Sequence, residues 1–339
     1  MNCIKQLFAK KTNLLSYCCC QNKKRFLQSY EINTKSELDY FIKTIGGNKD
    51  YVFRGINEAK HMLYSSAQVR TNASLDQGTY ENIISNAIKQ VRGSSIIMDY
   101  LKKYSNDETD FQILALMQHF GCGTPIIDYT TDIYSALFFA TDRKEEKKVD
   151  ENEKGIDAYM SIHFFNVNDP NHCSIQNVNY SAQQEVNFID NQLSSDKKLN
   201  YCGISDQAMN SFREIPFKEM CELNDGGLFS VLGHSNGVIQ FKIAQETIEY
   251  NVENERLDAQ KGLFLFNGLS QKPYEEAAFD WYSGIKNYCA NIHKSLEKDI
   301  KDYLQEEGIS RDVIYPKNDE SKAIIRELRR LKIDKRLKP

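Results

Sequence analysis

Two periodicities alternate along the chain. Apolar residues at helical spacing begin near residue 35, where Ser36 precedes Glu37-Leu38 and Tyr40, Phe41 and Ile45 follow until Gly46-Gly47. A longer helical stretch over about 77–103 carries Ile83, Ile84, Ala87, Ile88 and Val91. Residues 108–120 are apolar around most of a helical circumference, from Phe111 to Phe120, and Gly121-Cys122-Gly123-Thr124-Pro125 ends the pattern. Such a helix is buried on most sides. Thr131 or Asp132 can cap a further helix whose Ile133, Ala136, Leu137 and Ala140 share one face. Two amphipathic helices are predicted near the end: about 286–307, with Leu296, Ile300, Tyr303 and Leu304, and about 320–332, with Ile324, Ile325, Leu328 and Leu331. Between these helices, β-branched and aromatic runs predict strands over 51–55, 158–165, 237–243 and 262–266. Residues 167–235 are polar without a strong period, and the charged stretch 142–154 reads as a solvated loop. Strands separated by long helical stretches predict an α+β fold: a single mixed domain with a central sheet, buried helices and a helical C-terminal appendage. The divisions are a flexible, basic, cysteine-containing leader (1–30), the domain proper (31–318), and a basic amphipathic helix and tail (319–339).

Composition narrows the class. With 339 residues and 41% hydrophobic content the chain can bury a sizeable core. Its formal net charge of −4 hides an asymmetry: residues 1–25 carry six basic and no acidic side chains, and residues 319–339 carry eight basic against four acidic. The body, 26–318, is left near −14, which argues against broad duplex binding and makes the two ends the candidates for docking. No apolar run approaches the length of a spanning helix, and lysines interrupt the N-terminus before a secretory h-region can form. Nine cysteines without repeated spacing fit a reducing, cytoplasmic setting. Cys18-Cys19-Cys20 beside Lys23-Lys24-Arg25 reads as part of a flexible leader, or as an acylated basic anchor giving peripheral membrane contact.

The chemistry-bearing residues are few. Phosphate-loop, dinucleotide-fold, His-Glu-x-x-His and Cys-x-x-Cys patterns are absent. His119, Cys122, His172 and Cys173 could be drawn around zinc, but neighbouring ligands suit one tetrahedral ion badly, and no metal is expected. Cys289 and His293 stand four apart on the predicted helix, where they permit a thiolate–imidazolium pair or simply pack in the core. Arg54 ends an apolar strand and Gly55 follows, placing a fixed cation where backbone can approach a phosphate or carboxylate. The competing reading pairs Arg54 with Asp128 to pin two elements. In the block Gln118–Asp132, glycine and proline break the buried helix and present Thr124, Asp128, Tyr129, Thr130 and Thr131 in a loop, as a site or as an N-cap cluster.

These residues carry a resemblance. Phe53-Arg54-Gly55, then Gln118-His119-Phe120-Gly121, Thr124, Asp128-Tyr129-Thr130 and Ala136-Leu137-Phe138-Phe139-Ala140, then Arg256, Gln260, Gly262 and Phe264 follow the motif order of the FRG domain family. The tail from Leu296 to Pro316 is similar to the helix and Phe/Tyr-Pro that follow in such proteins, so the resemblance spans about 35–330. Gly123, Pro125 and Tyr129 depart from the family's usual Pro, Arg and Trp. The resemblance implies a bacterial-type intracellular protein of the kind associated with phage defence, and it fixes a family more firmly than an activity.

Three functions compete. The motif order is similar to that of diphtheria-toxin-like ADP-ribosyltransferases, which implies an NAD-cleaving or ADP-ribosyl-transferring enzyme with NAD as substrate. Arg54 would hold ribose-phosphate, Tyr129 with Tyr134 would clamp nicotinamide, and Gln260 or Glu185 would steady the ribosyl cation, with Asp128 also in the catalytic set. Gly55, His119, Thr124 and Thr130 complete the cofactor-binding residues of that reading. The second function is a nucleic-acid-acting effector using Asp128 and His119. The third is a non-catalytic binding and sensor module with a structural Arg54–Asp128 pair. The target, protein or nucleic acid, and the oligomeric state are not written in the sequence. A discriminating expectation is convergence: Arg54, His119, Thr124, Asp128, Tyr129 and Gln260 meet in one cleft if the motifs make a site.

Overall fold

The computed structural model describes residues 28–104, 108–143, 149–166, 217, 228–233, 238–243, 246–251, 259–281, 287–315 and 319–339. The strands are β1 (Gln28–Ile32), β2 (Tyr51–Ile56), β3 (Ile126–Thr130), β4 (Tyr159–Asn166), β5 (Leu228–Gly233), β6 (Val238–Ile243), β7 (Glu246–Asn251), β8 (Gly262–Asn267) and β9 (Tyr288–His293). They hydrogen-bond in the order β1-β9-β4-β2-β3-β8-β5-β6-β7. The central six strands run from β1 to β8, and β5, β6 and β7 extend that edge. Among the described strands only β1 and β9 pair in parallel, so the sheet is mixed and the fold is α+β.

One pairing is out of step with the rest. β2 matches β4 over six residues, from Tyr51↔Asn166 to Ile56↔Ser161, yet touches β3 in register only at Phe53↔Thr130. β3 matches β8 along its whole length. Past Phe53 the two middle strands therefore splay, and the sheet opens between Arg54-Gly55-Ile56 and the Ile126–Asp128 half of β3.

Helices on one face keep that opening in place. α1 (Lys35–Phe41) is capped by Thr34 and Glu37 in a reciprocal box. A π-turn over Ile42–Gly46 follows, then the short α2 (Ser66–Arg70), α3 (Gln77–Arg92), α4 (Ser95–Tyr104) and α5 (Asp110–His119). Gly121 lies at φ +79, just after the end of α5, and the Cys122 amide reaches back to the Met117 carbonyl at 2.8 Å, the left-handed stop that glycine adopts without a Cβ clash. α6 (Ile133–Thr141) starts at an Asp132 cap. It packs with α1 and α8 (Glu297–Glu306) on Phe53, Ile162, Phe164, Tyr288 and Ala290. α3, α4, α5 and α10 (Asp319–Arg330) pack beside it over Ile126, Phe264 and Phe266. On the other face, α7 (Tyr274–Trp281) covers Val52, Ile127, Tyr129, Phe165, Leu263 and Leu265. No helix among the described residues is long and apolar enough to cross a membrane.

Several sequence expectations change. The stretch 77–103 is two helices broken at Gly93. The first helix begins where expected, at Lys35, with Thr34 as its cap and Ser36 inside its first turn. The segment read as a loop after Pro125 is the strand β3, and the start of the helix expected over 286–307 is the strand β9. Cys289 and His293 thus sit on a strand, too far apart to pair. Cys289 instead meets His163 across the β4–β9 ladder, at 3.8 Å. The expected C-terminal helix is present and packs onto the domain, with Ile324, Leu328, Ile333 and Leu337 buried in the helical core. In the stretch read as a solvated loop, the Arg143 side chain is buried. The leader to residue 27, Glu185, Arg256 and the His172–Cys173 pair lie outside the described residues. Among those described, no cluster of three metal-ligating side chains occurs.

Candidate functional site

A cleft of about 770 Å³ occupies the split between β2 and β3. Because the sheet is open there, residues from both of its faces reach the cleft: Phe53, Gly55, Asp128 and Thr130 from one, Arg54 and Tyr129 from the other. Gln118 and His119 enter from the last turn of α5, Phe139 from α6, and Gln260 from the turn before β8. The segment after β2 supplies a further wall with Lys60, His61 and Tyr64. Tyr315, after the short helix α9 (Arg311–Ile314), forms part of the rim.

Arg54 takes the place of the missing ladder bond. Its Nη1 donates to the Asp128 backbone carbonyl at 2.6 Å and stands 3.9 Å from the Asp128 carboxylate. Nε is buried without an acceptor among the described residues. A guanidinium offers five N–H donors, and among the described residues most of this one's capacity is unspent. That is a stronger position for an anion than a fully forked structural pair would leave.

Asp128 is held from the other side. The Gln118 amide nitrogen donates to its carboxylate at 2.6 Å. The Gln118 carbonyl in turn accepts from the Thr124 hydroxyl at 2.5 Å and the Ser66 hydroxyl at 3.0 Å, which fixes the amide's orientation. Ser66 also accepts from the Thr124 amide at 2.9 Å. The Asp128 side chain is 47% exposed and lines the cleft. Burial pushes the carboxyl pKa above the usual carboxylate value, against the opposing pulls of Arg54 and of the Gln118 hydrogen bond. Desolvation also holds the neighbouring Tyr129 phenol far above its ordinary value, so it stays neutral.

A raised pKa has a signed consequence. The folded state holds the Asp128 proton more tightly than the unfolded chain, so ionising Asp128 costs stability as pH rises from the unfolded carboxylate pKa through the folded one. Asp128→Asn keeps an acceptor for Gln118 and cannot ionise. Thermal melts should show it more stable than wild type at pH 7, with the difference vanishing below about pH 3.

The expected residues divide into three groups. Arg54, Gly55, His119, Asp128, Tyr129, Thr130 and Gln260 line the cleft. Thr124 does not line it and acts through Gln118. Tyr134 is elsewhere: it lies beside Glu307 at the end of α8, where burial and that carboxylate raise its pKa, so it forms no clamp with Tyr129. The Phe and Tyr side chains lining the cleft are Phe53, Tyr64, Tyr129, Phe139 and Tyr315. Some roles are structural. Gln260 donates to the Ile314 carbonyl at 3.1 Å, holding α9 beside the rim, and Thr130 donates to the Gln260 carbonyl at 2.7 Å. Gly55 lines the cleft with its backbone, and the position a Cβ would take points at α6. Cys122 is buried and its thiol is pushed up to about 12, which leaves it inert as a nucleophile or ligand at neutral pH.

Sequence reasoning missed Gln118 as a site residue, although it stood in the quoted motif, and missed the 57–64 wall. That wall is built rigidly. The Leu63 amide donates to both oxygens of the buried Glu275 at 2.8 and 2.9 Å, Ala59 bonds to the Tyr159 carbonyl, and Lys60 pairs with Asp157 at 2.7 Å.

The molecule is thus a mixed α+β domain whose sheet splits around an arginine–aspartate–glutamine cleft. Residues 49–149, which include β2, α5, β3 and α6, match the family model of the FRG domain, so the chain carries an FRG domain over that span. No curated protein and no solved structure matches the chain. The likeness to diphtheria-toxin-like transferases therefore rests on motif order alone.

Proposed function

We propose that the cleft is the active site of an enzyme that cleaves the N-glycosidic bond of an NAD-type dinucleotide, releasing nicotinamide or transferring ADP-ribose. The observation that carries this reading is the Arg54–Asp128 arrangement: a partly satisfied guanidinium beside a carboxylate locked by Gln118, in a recess with aromatic walls. Arg54 and Lys60 favour the diphosphate. Tyr64, Phe139 and Tyr315 offer faces for the planar rings. As the bond between ribose C1′ and the pyridinium nitrogen breaks, its electron pair goes to the departing nicotinamide, which becomes neutral. Positive charge moves to the ribose, where an ionised Asp128 stabilises it and then accepts the proton of the attacking water or acceptor group.

The test is incubation of the purified chain with NAD, following free nicotinamide and any mass adduct on added cell lysate. Turnover should fall about 10²–10⁴-fold in Asp128→Asn, the range for loss of a general base. It should fall roughly ten- to a hundred-fold in Arg54→Ala, the worth of one charged hydrogen bond. Absence of nicotinamide release and of any adduct with the wild-type chain sinks the reading. The alternative of a nucleic-acid effector gains little from the cleft, because Asp128 is the single acid among the described lining residues and offers no pair of carboxylates for metal ions.

A further inference from the structure

A second cavity, of about 510 Å³, lies between the C-terminal end of α6 and helix α8. Its charged wall consists of Asp142, Arg143, Glu297 and Lys301. Arg143 is the unusual member. Its side chain is 8% exposed, Nη2 pairs with a Glu297 carboxylate oxygen, and Nε and Nη1 are buried without an acceptor among the described residues. A guanidinium cannot relieve such a position by losing its proton.

Among the described residues, the carboxylates that line the cavity are already engaged. Glu297 is shared, since its other oxygen stands 3.1 Å from Lys301. Asp142 is spent on Arg311, whose Nη1 is 2.5 Å away. Carbonyls at the nearby helix ends are engaged as well: Phe138 accepts from the Asp142 amide at 2.8 Å, and Leu304 accepts from the Ile309 amide at 2.7 Å. Arg143 and Lys301 thus both pair with Glu297 on the wall of a space of small-molecule size.

We propose that this cavity binds a small oxyanion, the phosphate or carboxylate group of a ligand, between Arg143 and Lys301. The anion supplies the acceptors that Arg143 Nε and Nη1 lack among the described residues, and Lys301 keeps Glu297 neutralised when Arg143 turns toward the ligand. The site is distinct from the first cleft. Phe138 lines the second cavity, Phe139 and Tyr315 line the first, and their rings contact one another in between. The proposal therefore stands or falls independently of NAD cleavage.

The experiment is side-chain Nε NMR of the full chain labelled with ¹⁵N-arginine, titrated with inorganic phosphate and separately with acetate. Arg143→Lys, which keeps the cation, identifies the Arg143 resonance. That resonance should shift saturably in wild type and equally in Arg54→Ala, and Lys301→Met should weaken the apparent affinity about tenfold. Lys301 is 48% exposed, so this variant should keep the fold. A response to both anions identifies a general oxyanion site, and a response to phosphate alone identifies a phosphoryl site. An Arg143 signal unmoved by either anion, or an affinity unchanged in Lys301→Met, overturns the proposal.

Discussion

Gly55→Ala is expected to be the most damaging single substitution in the FRG motif. A Cβ at this position would stand 1.8 Å from the Ala136 carbonyl oxygen and 2.7 Å from the Ala140 amide nitrogen. Both atoms belong to the backbone of α6, so no side-chain rotation can relieve the contact. The helix must lift from β2, and its separation loosens the core around Phe53, Ile133 and Ala136. Overpacking against movable side chains costs about 1–3 kcal/mol, and against a helix backbone the cost should exceed about 3 kcal/mol. That is a large share of the roughly 5–15 kcal/mol by which a domain is stable. Thermal melts should show a midpoint lowered by roughly 6–12 °C, or no soluble protein. Gly155→Ala is the matched control: nothing lies within 4 Å of its added methyl group, and its melt should coincide with wild type. A Gly55→Ala melt that also coincides with wild type would contradict the close packing of α6 on β2.

The second large effect concerns the wall of the first cleft. Lys294 has a fully buried side chain whose ammonium pairs with Glu58 at 3.0 Å and donates to the Asp157 carbonyl at 2.6 Å. Glu58 is partly open, with 24% of its side chain exposed. The two partners are therefore unequal. Glu58→Ala removes the carboxylate that pairs with a buried cation and should cost about 3–5 kcal/mol, as for other broken buried pairs. Lys294→Met leaves a carboxylate that can still reach water and should cost less, about 1–3 kcal/mol. The double variant should cost less than the sum of the two, because each single variant already removes the one pair interaction. Urea melts of the four proteins measure this directly, and equal single costs would show that burial of Lys294 does not decide the outcome.

Much of the fold could be read from the chain because its strongest patterns are local. The all-round apolar helix Phe111–Phe120 and its glycine stop appear where the pattern put them, since hydrophobic period and left-handed capping are both written in adjacent residues. β3 was misread because Asp128, Tyr129 and Thr130 look polar. Their strand character comes from pairing with β8, more than 130 residues later. β9 was misread for a related reason. All six of its residues are buried, so it shows no polar–apolar alternation, and the helical period of Leu296, Ile300 and Leu304 extended over it. At the site, motif order brought Arg54, His119, Asp128 and Gln260 to one cleft. What it could not separate was packing from ligand contact. Gly55 serves α6, Thr124 serves Gln118, and Tyr134 faces α8, distinctions that depend on which way neighbouring elements pack. The split between β2 and β3 has no sequence mark at all, because it is the absence of a ladder.

The central claim is that this split is a binding site for a phosphate-bearing nucleotide, with Arg54 as its anion anchor. Isothermal titration of the purified chain with ADP-ribose tests it most directly. The account predicts one saturable site in the wild-type chain, weakened roughly ten- to a hundred-fold in Arg54→Ala and unchanged in Arg143→Lys. No binding by wild type, or equal binding by wild type and Arg54→Ala, would contradict it.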